Sequence, residues 1–289
     1  MYYYCYIICD FRIQLEIPFL IKKLVESKSF LLGPSIQCYP HDFTVQFKPV
    51  SEIPISEESH RVSYRNYAQS EDKIITWFYA GRGNDLYACV IIKRIGKETN
   101  QCFYVKGKEK EFCLSNKICD MLGLETILNQ RMGFLLHSSF VSYNDNGILF
   151  SAPSGTGKST QASLWEQYLG AEIINGDRAG IRRIGEKSHV WTAYGLPFAG
   201  SSGIYKNKSA PISGVILLEQ GSQNEIRRAG MTEAFRRLYP ETAIHDWDPW
   251  FVETVTDTLI QFVHEVPIYV LRCRPDREAV DLVKKQLLL

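Results

Sequence analysis

The sequence predicts an α/β fold for residues 129–289, with strands and helices alternating around a mixed central sheet. A β-rich α+β segment is predicted to precede it, over residues 1–128. Three observations carry this prediction. Beyond residue 128, short apolar runs bounded by turn residues alternate with segments of helical period, a pattern that packs helices against a sheet. Before it, the apolar runs have strand texture with little helix between them. The third is a glycine-rich run, Ala152-Pro-Ser-Gly-Thr-Gly-Lys-Ser159, standing between a strand signal and a helix signal.

Taken in order, Tyr2 to Ile8, Phe43 to Phe47, Ile74 to Tyr79, Leu86 to Ile92 and Cys102 to Val105 read as strands, with Gly81 to Asp85 as a turn. Lys106 to Lys110 is charged and without apolar period, so a solvated loop is expected. Ser115 to Leu128 carries apolar residues at helical spacing, interrupted by Gly123. In the second part, Gly147 to Ala152 is a buried strand after the turn signal Asn144 to Gly147, and Ser159 to Tyr168 is a helix stopped by Gly170. Ala171 to Ile174 is a strand, and Ile181–Ile184 with His189–Ala193 form a hairpin turned at Gly185-Glu-Lys. Gly195 to Lys208 is a glycine- and serine-rich loop, composed so that Ser201, Ser202 and Lys206 could close over a substrate. Val215–Leu218, Glu225–Arg228 and Val266–Cys273 read as strands; Met231–Leu238, Pro249–His264 and Pro275–Leu289 read as helices.

Composition narrows the function classes. The 289 residues suffice for two modest domains, and 45% apolar content excludes wholesale disorder. Lys plus Arg is 33 against 32 for Asp plus Glu, which gives no support to nucleic-acid binding. The eight cysteines include no C-x-x-C pair and no neighbouring His cluster, so a zinc site is not expected and reduced thiols are. Met1 to Cys9 is apolar but is cut short by Asp10 and Arg12 and lacks a basic start. No segment approaches the roughly 18 apolar residues that span a bilayer. The expectation is a soluble cytoplasmic protein with no membrane partner.

The run 152–159 has the G-x-x-x-x-G-K-[ST] form of a phosphate-binding loop, with Ala152 in the place of the first glycine. Gly155 and Gly157 allow backbone conformations that bring N–H groups onto phosphate oxygens. Residues Pro153, Ser154, Gly155, Thr156, Gly157, Lys158, Ser159 and Thr160 are therefore the candidate nucleotide-binding set. Lys158 supplies charge for the outer phosphates, and Ser159 a hydroxyl for Mg²⁺. The helix that follows favours the same anion through its N-terminal amides. Asp177 ends the next apolar strand, where phosphate-loop enzymes hold Mg²⁺. His137 lies on the strand expected to pair with the one that feeds the loop. Arg178, Arg182, Arg183, Arg272 and Arg274 are candidate phosphate partners. His245-Asp-Trp-Asp248 precedes Pro249 and reads as a helix cap rather than a metal cluster.

Leu136-His-Ser-Ser-Phe140, Ser151 to Thr160 and Ile173-Ile-Asn-Gly-Asp177 together resemble the C-terminal kinase domain of HPr kinase/phosphorylase, a fold shared with phosphoenolpyruvate carboxykinase. The resemblance covers residues 130–275. It implies an ATP-dependent (or GTP-dependent) phosphotransferase with Mg²⁺, acting on a hydroxyl, most plausibly Ser or Thr of a protein or peptide. It also implies that His137 lies near the transferred phosphate, and that Lys158, Asp177 and His137 form the catalytic set. Ser159 and Asp177 would hold the metal. The family closes the strand after the loop with an acidic pair; here Gly176 occupies the first acidic position and only Asp177 remains. A small-molecule or carboxykinase-like enzyme, and a nucleotide-binding module without transfer, are the alternative readings.

Overall fold

The computed structural model describes all of the chain except residues 22–27, 39, 63–64, 71, 81–84, 95–98, 114–117, 120, 186–188 and 199. The turns expected at 81–84 and 186–188, and the first residues of the helix expected from Ser115, lie outside the described residues. The chain divides into two compact units, Met1–Gln130 and Arg131–Leu289, and the described residues make two mixed sheets, one in each.

The first unit is a nine-stranded sheet. Its strands are β1 (Tyr2–Ile8), β2 (Phe11–Ile17), β3 (Leu31–Ser35), β4 (Phe43–Val50), β5 (His60–Val62), β6 (Arg65–Gln69), β7 (Lys73–Ala80), β8 (Asp85–Lys93) and β9 (Asn100–Val105). Across the sheet the order is β3-β1-β2-β4-β9-β8-β7-β6-β5, with β2, β4 and β9 running parallel. β1 and β2 form a hairpin turned at Cys9 and Asp10, whose φ values of 52° and 61° suit the twist of a two-residue turn. Phe112 packs against Phe47, Tyr87 and Tyr104 with ring centroids 5.4–5.7 Å apart. The helix expected over 115–128 is shorter among the described residues: α1 spans Leu124–Asn129. Gly123 interrupts the segment with φ 66°, and a Cβ there would lie 2.0 Å from Ile92 Cδ1.

The second unit contains β10 (Gly133–Tyr143), β11 (Asn146–Ser151), α2 (Lys158–Leu169), β12 (Glu172–Asn175), β13 (Arg178–Ile184) and β14 (Val190–Tyr194). It continues with β15 (Ser209–Gln220), β16 (Glu225–Arg228), α3 (Met231–Leu238), α4 (Pro249–Glu265), β17 (Ile268–Cys273) and α5 (Arg277–Gln286). Two long strands each serve two ladders. β10 pairs β13 through residues 133–137 and β11 through 138–143. β15 pairs β14 through 209–211 and then runs parallel to β11. The sheet thereby curls back on itself. β11, β15 and β17 are parallel, so their C-terminal ends at Ser151, Gln220 and Cys273 reach one edge, the edge at which α/β sheets bind ligands.

Strand alternation sends side chains to two cores. Leu149, Val215, Leu217, Ile268 and Val270 pack with Leu238 of α3 and with Phe251, Val255, Leu259 and Phe262 of α4. Ile148, Phe150, Ile216, Leu218 and Leu271 pack with Ala162 and Trp165 of α2 and with Val280 and Val283 of α5. Each fully buried apolar side chain contributes roughly 1.5–3 kcal/mol. α4 begins as the sequence predicts: Asp248 accepts from Phe251 N at 3.3 Å, with Pro249 at the first helical position. Among the described residues no helix is long and apolar enough to cross a membrane.

Candidate functional site

The segment joining β11 to α2 takes its shape from its glycines. Gly155 and Gly157 have φ of 80° and 119°, and a Cβ at either would meet nothing within 4 Å among the described residues. Glycine is needed there for its dihedrals and not for space. Ala152 directly follows β11 and has no positive φ, so the departure at the first glycine position has no conformational consequence. Lys158 is the first residue of α2 and is 7% exposed. Its Nζ donates to Ala152 O at 2.6 Å and to Pro153 O at 3.4 Å, which folds the ammonium over the loop. Burial lowers its pKa, and the carboxylates of Glu241 and Asp177 work against that shift. Pro153, Ser154, Gly155, Ser159 and Thr160 are exposed, with Thr156 and Gly157 half-buried.

Beside the loop, β10, the start of β13 and residues 240–243 border a cleft of about 250 Å³. His137, Asp177, Arg178 and Glu241 line it. His137 Nδ1 lies 2.7 Å from Glu241 Oε2, and His137 Nε2 lies 3.9 Å from Asp177 Oδ1. Arg178 Nε is 3.5 Å from Asp177 Oδ2. A carboxylate only accepts, so Nδ1 carries the proton in the His137–Glu241 bond, and Nε2 is the ring nitrogen on the Asp177 side.

Local hydrogen bonds fix these side chains. Asn175 is fully buried; its Oδ1 accepts from Asp177 N (2.9 Å) and Arg178 N (3.0 Å). Its Nδ2 donates to Leu196 O (3.0 Å) and Phe198 O (2.8 Å). Ser138 N donates to Asp177 O at 3.0 Å, and Ser151 Oγ to His137 O at 3.1 Å. Glu241 is brought opposite His137 because Thr242 bridges to Leu136 and Ala243 N donates to Leu135 O at 2.9 Å.

The glycine at 176 has a steric cause. A Cβ there would lie 2.2 Å from Ser202 Oγ and 2.5 Å from Ser202 Cβ. Gly200 in turn has φ 51°, and its Cβ would fall 2.5 Å from Asp177 Cγ. The turn at 200–202 therefore occupies the space of an acidic side chain at 176.

The segment Gly195–Lys208 differs from the expected closing loop. It is fastened down: Lys206 N donates to Ile174 O at 2.9 Å, Gly176 N to Ile204 O at 3.3 Å and Gly195 N to Lys208 O at 2.9 Å. Lys206 Nζ pairs with Glu172 at 3.0 Å, and Ser202 packs on Gly176; the Ser201 side chain lies outside the described residues. Of the candidate arginines, Arg178 lines the cleft. Arg182 sits on β13 opposite Gly133. Arg183 pairs with Glu265, Arg272 with Glu219, and Arg274 with Asp276 and Glu278. The structure thus brings His137 and Asp177 together and adds Glu241, which sequence reasoning did not single out. Its place after Pro240 at the end of α3 carries only a helix-end signal.

No family model matches the chain, and no curated protein matches it. Among solved structures it is similar to the Hpr(Ser) kinase/phosphatase from Coxiella burnetii, with a TM-score of 0.30 and 12% identity over 53% of this chain and 87% of that chain.

Proposed function

We propose that the chain is an ATP-dependent phosphotransferase that moves the γ-phosphate to a hydroxyl, that of Ser or Thr in a protein or peptide. The observation that carries this reading is one constellation. A glycine-shaped loop opens α2 with a buried lysine, and that lysine feels the carboxylates of the His137–Asp177–Glu241 cleft.

The backbone N–H groups of the loop and of the first turn of α2 cradle the phosphates, and Lys158 leaves its carbonyl partners to bind the outer ones. Ser159 and Asp177 fit Mg²⁺ in donor chemistry: both offer hard oxygens, the hydroxyl is exposed, and neither Asp177 oxygen is closed by a short ion pair. Bound there, the cation would neutralise phosphate charge. In the transfer, the bond from the γ-phosphorus to the bridging oxygen breaks and a bond to the acceptor oxygen forms. The acceptor proton passes to His137 Nε2 or to Asp177, and ADP leaves with the bridging oxygen. Positioning and charge neutralisation supply the catalysis. No disulfide joins Cys5, Cys9, Cys38, Cys89, Cys102, Cys119 or Cys273 among the described residues, which suits a reducing cytoplasm.

The test is Lys158→Ala in the full chain, with Mg·ATP titrated by calorimetry and γ-labelled ATP offered with a Ser/Thr peptide library. The variant should keep its melting profile and lose ATP affinity by at least tenfold, with label transfer abolished. Wild-type affinity and transfer in that variant would remove the proposal.

A further inference from the structure

A second cleft, of about 280 Å³, opens beside Gly155, Thr156, Gly157 and Thr160, at the edge where β15 and β17 end. It shares no lining residue with the His137–Asp177 cleft. On the nucleotide reading the terminal phosphate meets Lys158 and the base would lie further along the loop; this cleft borders the loop and the first turn of α2.

One buried side chain points to what the cleft takes. Gln161 lines it and is only 3% exposed. Its Nε2 donates to Cys273 Sγ at 3.2 Å, while its Oε1 is buried with no hydrogen-bond partner among the described residues. An orphaned amide oxygen costs roughly 1–3 kcal/mol, and native proteins leave few of them. Leu218, Cys273 and Pro275 add apolar surface suited to a flat ring. Glu219, also on the lining, is already engaged by Arg237 at 2.7 Å and Arg272 at 3.5 Å.

We infer that this cleft is a nucleobase site in which Gln161 Oε1 accepts a hydrogen bond from the exocyclic amine of adenine, so that the protein selects ATP over GTP. Guanine in the same pose sets its O6 against the Gln161 oxygen, acceptor against acceptor. The inference rests on the nucleotide reading of the 152–159 loop.

The experiment is a calorimetric series on the full chain with Mg²⁺: tripolyphosphate, ATP, GTP and purine riboside triphosphate, which lacks only the amine of adenine. Each ligand is titrated into the wild type and into Gln161→Leu. ATP should bind the wild type at least tenfold more tightly than GTP or purine riboside triphosphate. In Gln161→Leu the ATP affinity should fall to that of the amine-free nucleotide, with tripolyphosphate binding unchanged. Equal binding of all three nucleotides by the wild type overturns the inference even if Gln161→Leu does not fold. So does undiminished ATP affinity in a folded Gln161→Leu. If tripolyphosphate binds while the nucleotides are not distinguished, the base assignment alone falls. If tripolyphosphate does not bind the wild type, the loop reading falls and takes the base assignment with it.

Discussion

Replacing Glu241 by alanine should loosen the imidazole at the centre of the site, and the geometry sets how much. Glu241 is 10% exposed in its side chain and accepts from His137 Nδ1–H at 2.7 Å. Without it the Nδ1–H has lost a charged acceptor, a loss of roughly 1.5–3 kcal/mol for a hydrogen bond to a charged group. The His137 side chain is 33% exposed, so water recovers part of that. We expect a net cost of about 1–2 kcal/mol, which in a domain of this size is about 2–8 °C in melting temperature. The decisive assay is a double-mutant cycle with His137→Ala. If Glu241 acts through the ring, its removal should cost about 1 kcal/mol less when the ring is already gone. Nitrogen NMR of labelled histidine gives a second readout: the Nδ1–H tautomer should dominate in the wild type and give way to a mixture in Glu241→Ala. Additivity within about 0.3 kcal/mol, together with an unchanged ring spectrum, would refute the reasoning.

Two further outcomes follow from the loop and the core. Gly157→Ala introduces a side chain at φ 119° with nothing within 4 Å of its Cβ, so its cost is backbone strain of about 1–3 kcal/mol. It should lower the melting temperature by a few degrees and weaken tripolyphosphate binding; a variant equal to wild type in both would show that the glycine is not needed for its dihedral. Glu265 couples stability to acid: burial pushes its carboxyl up, but hydrogen bonds from Arg183, Trp191 and Gln261 outweigh that and hold it below its ordinary value. A carboxylate so depressed adds stability in full above its unfolded pKa, about 4.3, and loses it as pH falls through the folded pKa. Melting curves from pH 7 down to pH 2.5 should therefore fall less steeply for Glu265→Gln below about pH 4.3 than for wild type. Parallel curves would disprove the assignment.

How much of this fold the sequence displays depends on whether the signal is local. β11, the glycine loop and α2 are legible because each is written within a few residues: an apolar run, two glycines at φ 80° and 119°, and Gly170 closing the helix at φ 66°. β2 is not legible in the same way. Phe11 to Ile17 alternates well enough, but Asp10 reads as the end of an apolar stretch when it is one of two turn residues at positive φ that return the chain. β15 extends beyond Val215–Leu218 at both ends, with Pro211 and Gly214 on its N-terminal side marking loop by composition. They lie where the strand passes from the β14 ladder to the β11 ladder, and sheet neighbours supply the order that propensity does not.

The site divides along the same line. Lys158 and Asp177 are found from a motif, whereas Glu241 meets His137 across 104 residues of sequence, through pairing of 242–243 with β10. That long-range contact bears on the glycine at 176. The family resemblance implies an acidic pair at 176 and 177, and position 176 is closed to any side chain by Ser202. A second carboxylate nevertheless stands at the cleft, on the opposite ring nitrogen of His137. The two differ in what they are free to do. Glu241 is committed to Nδ1 at 2.7 Å, whereas Asp177 keeps 3.9 Å from Nε2 and 3.5 Å from Arg178. An acidic group that is already hydrogen-bonded orients its partner; one that is loosely paired and 29% exposed can take a cation or a proton. Two carboxylates that face one imidazole need not be neighbours in sequence, and a second acid stands at this cleft although position 176 carries none.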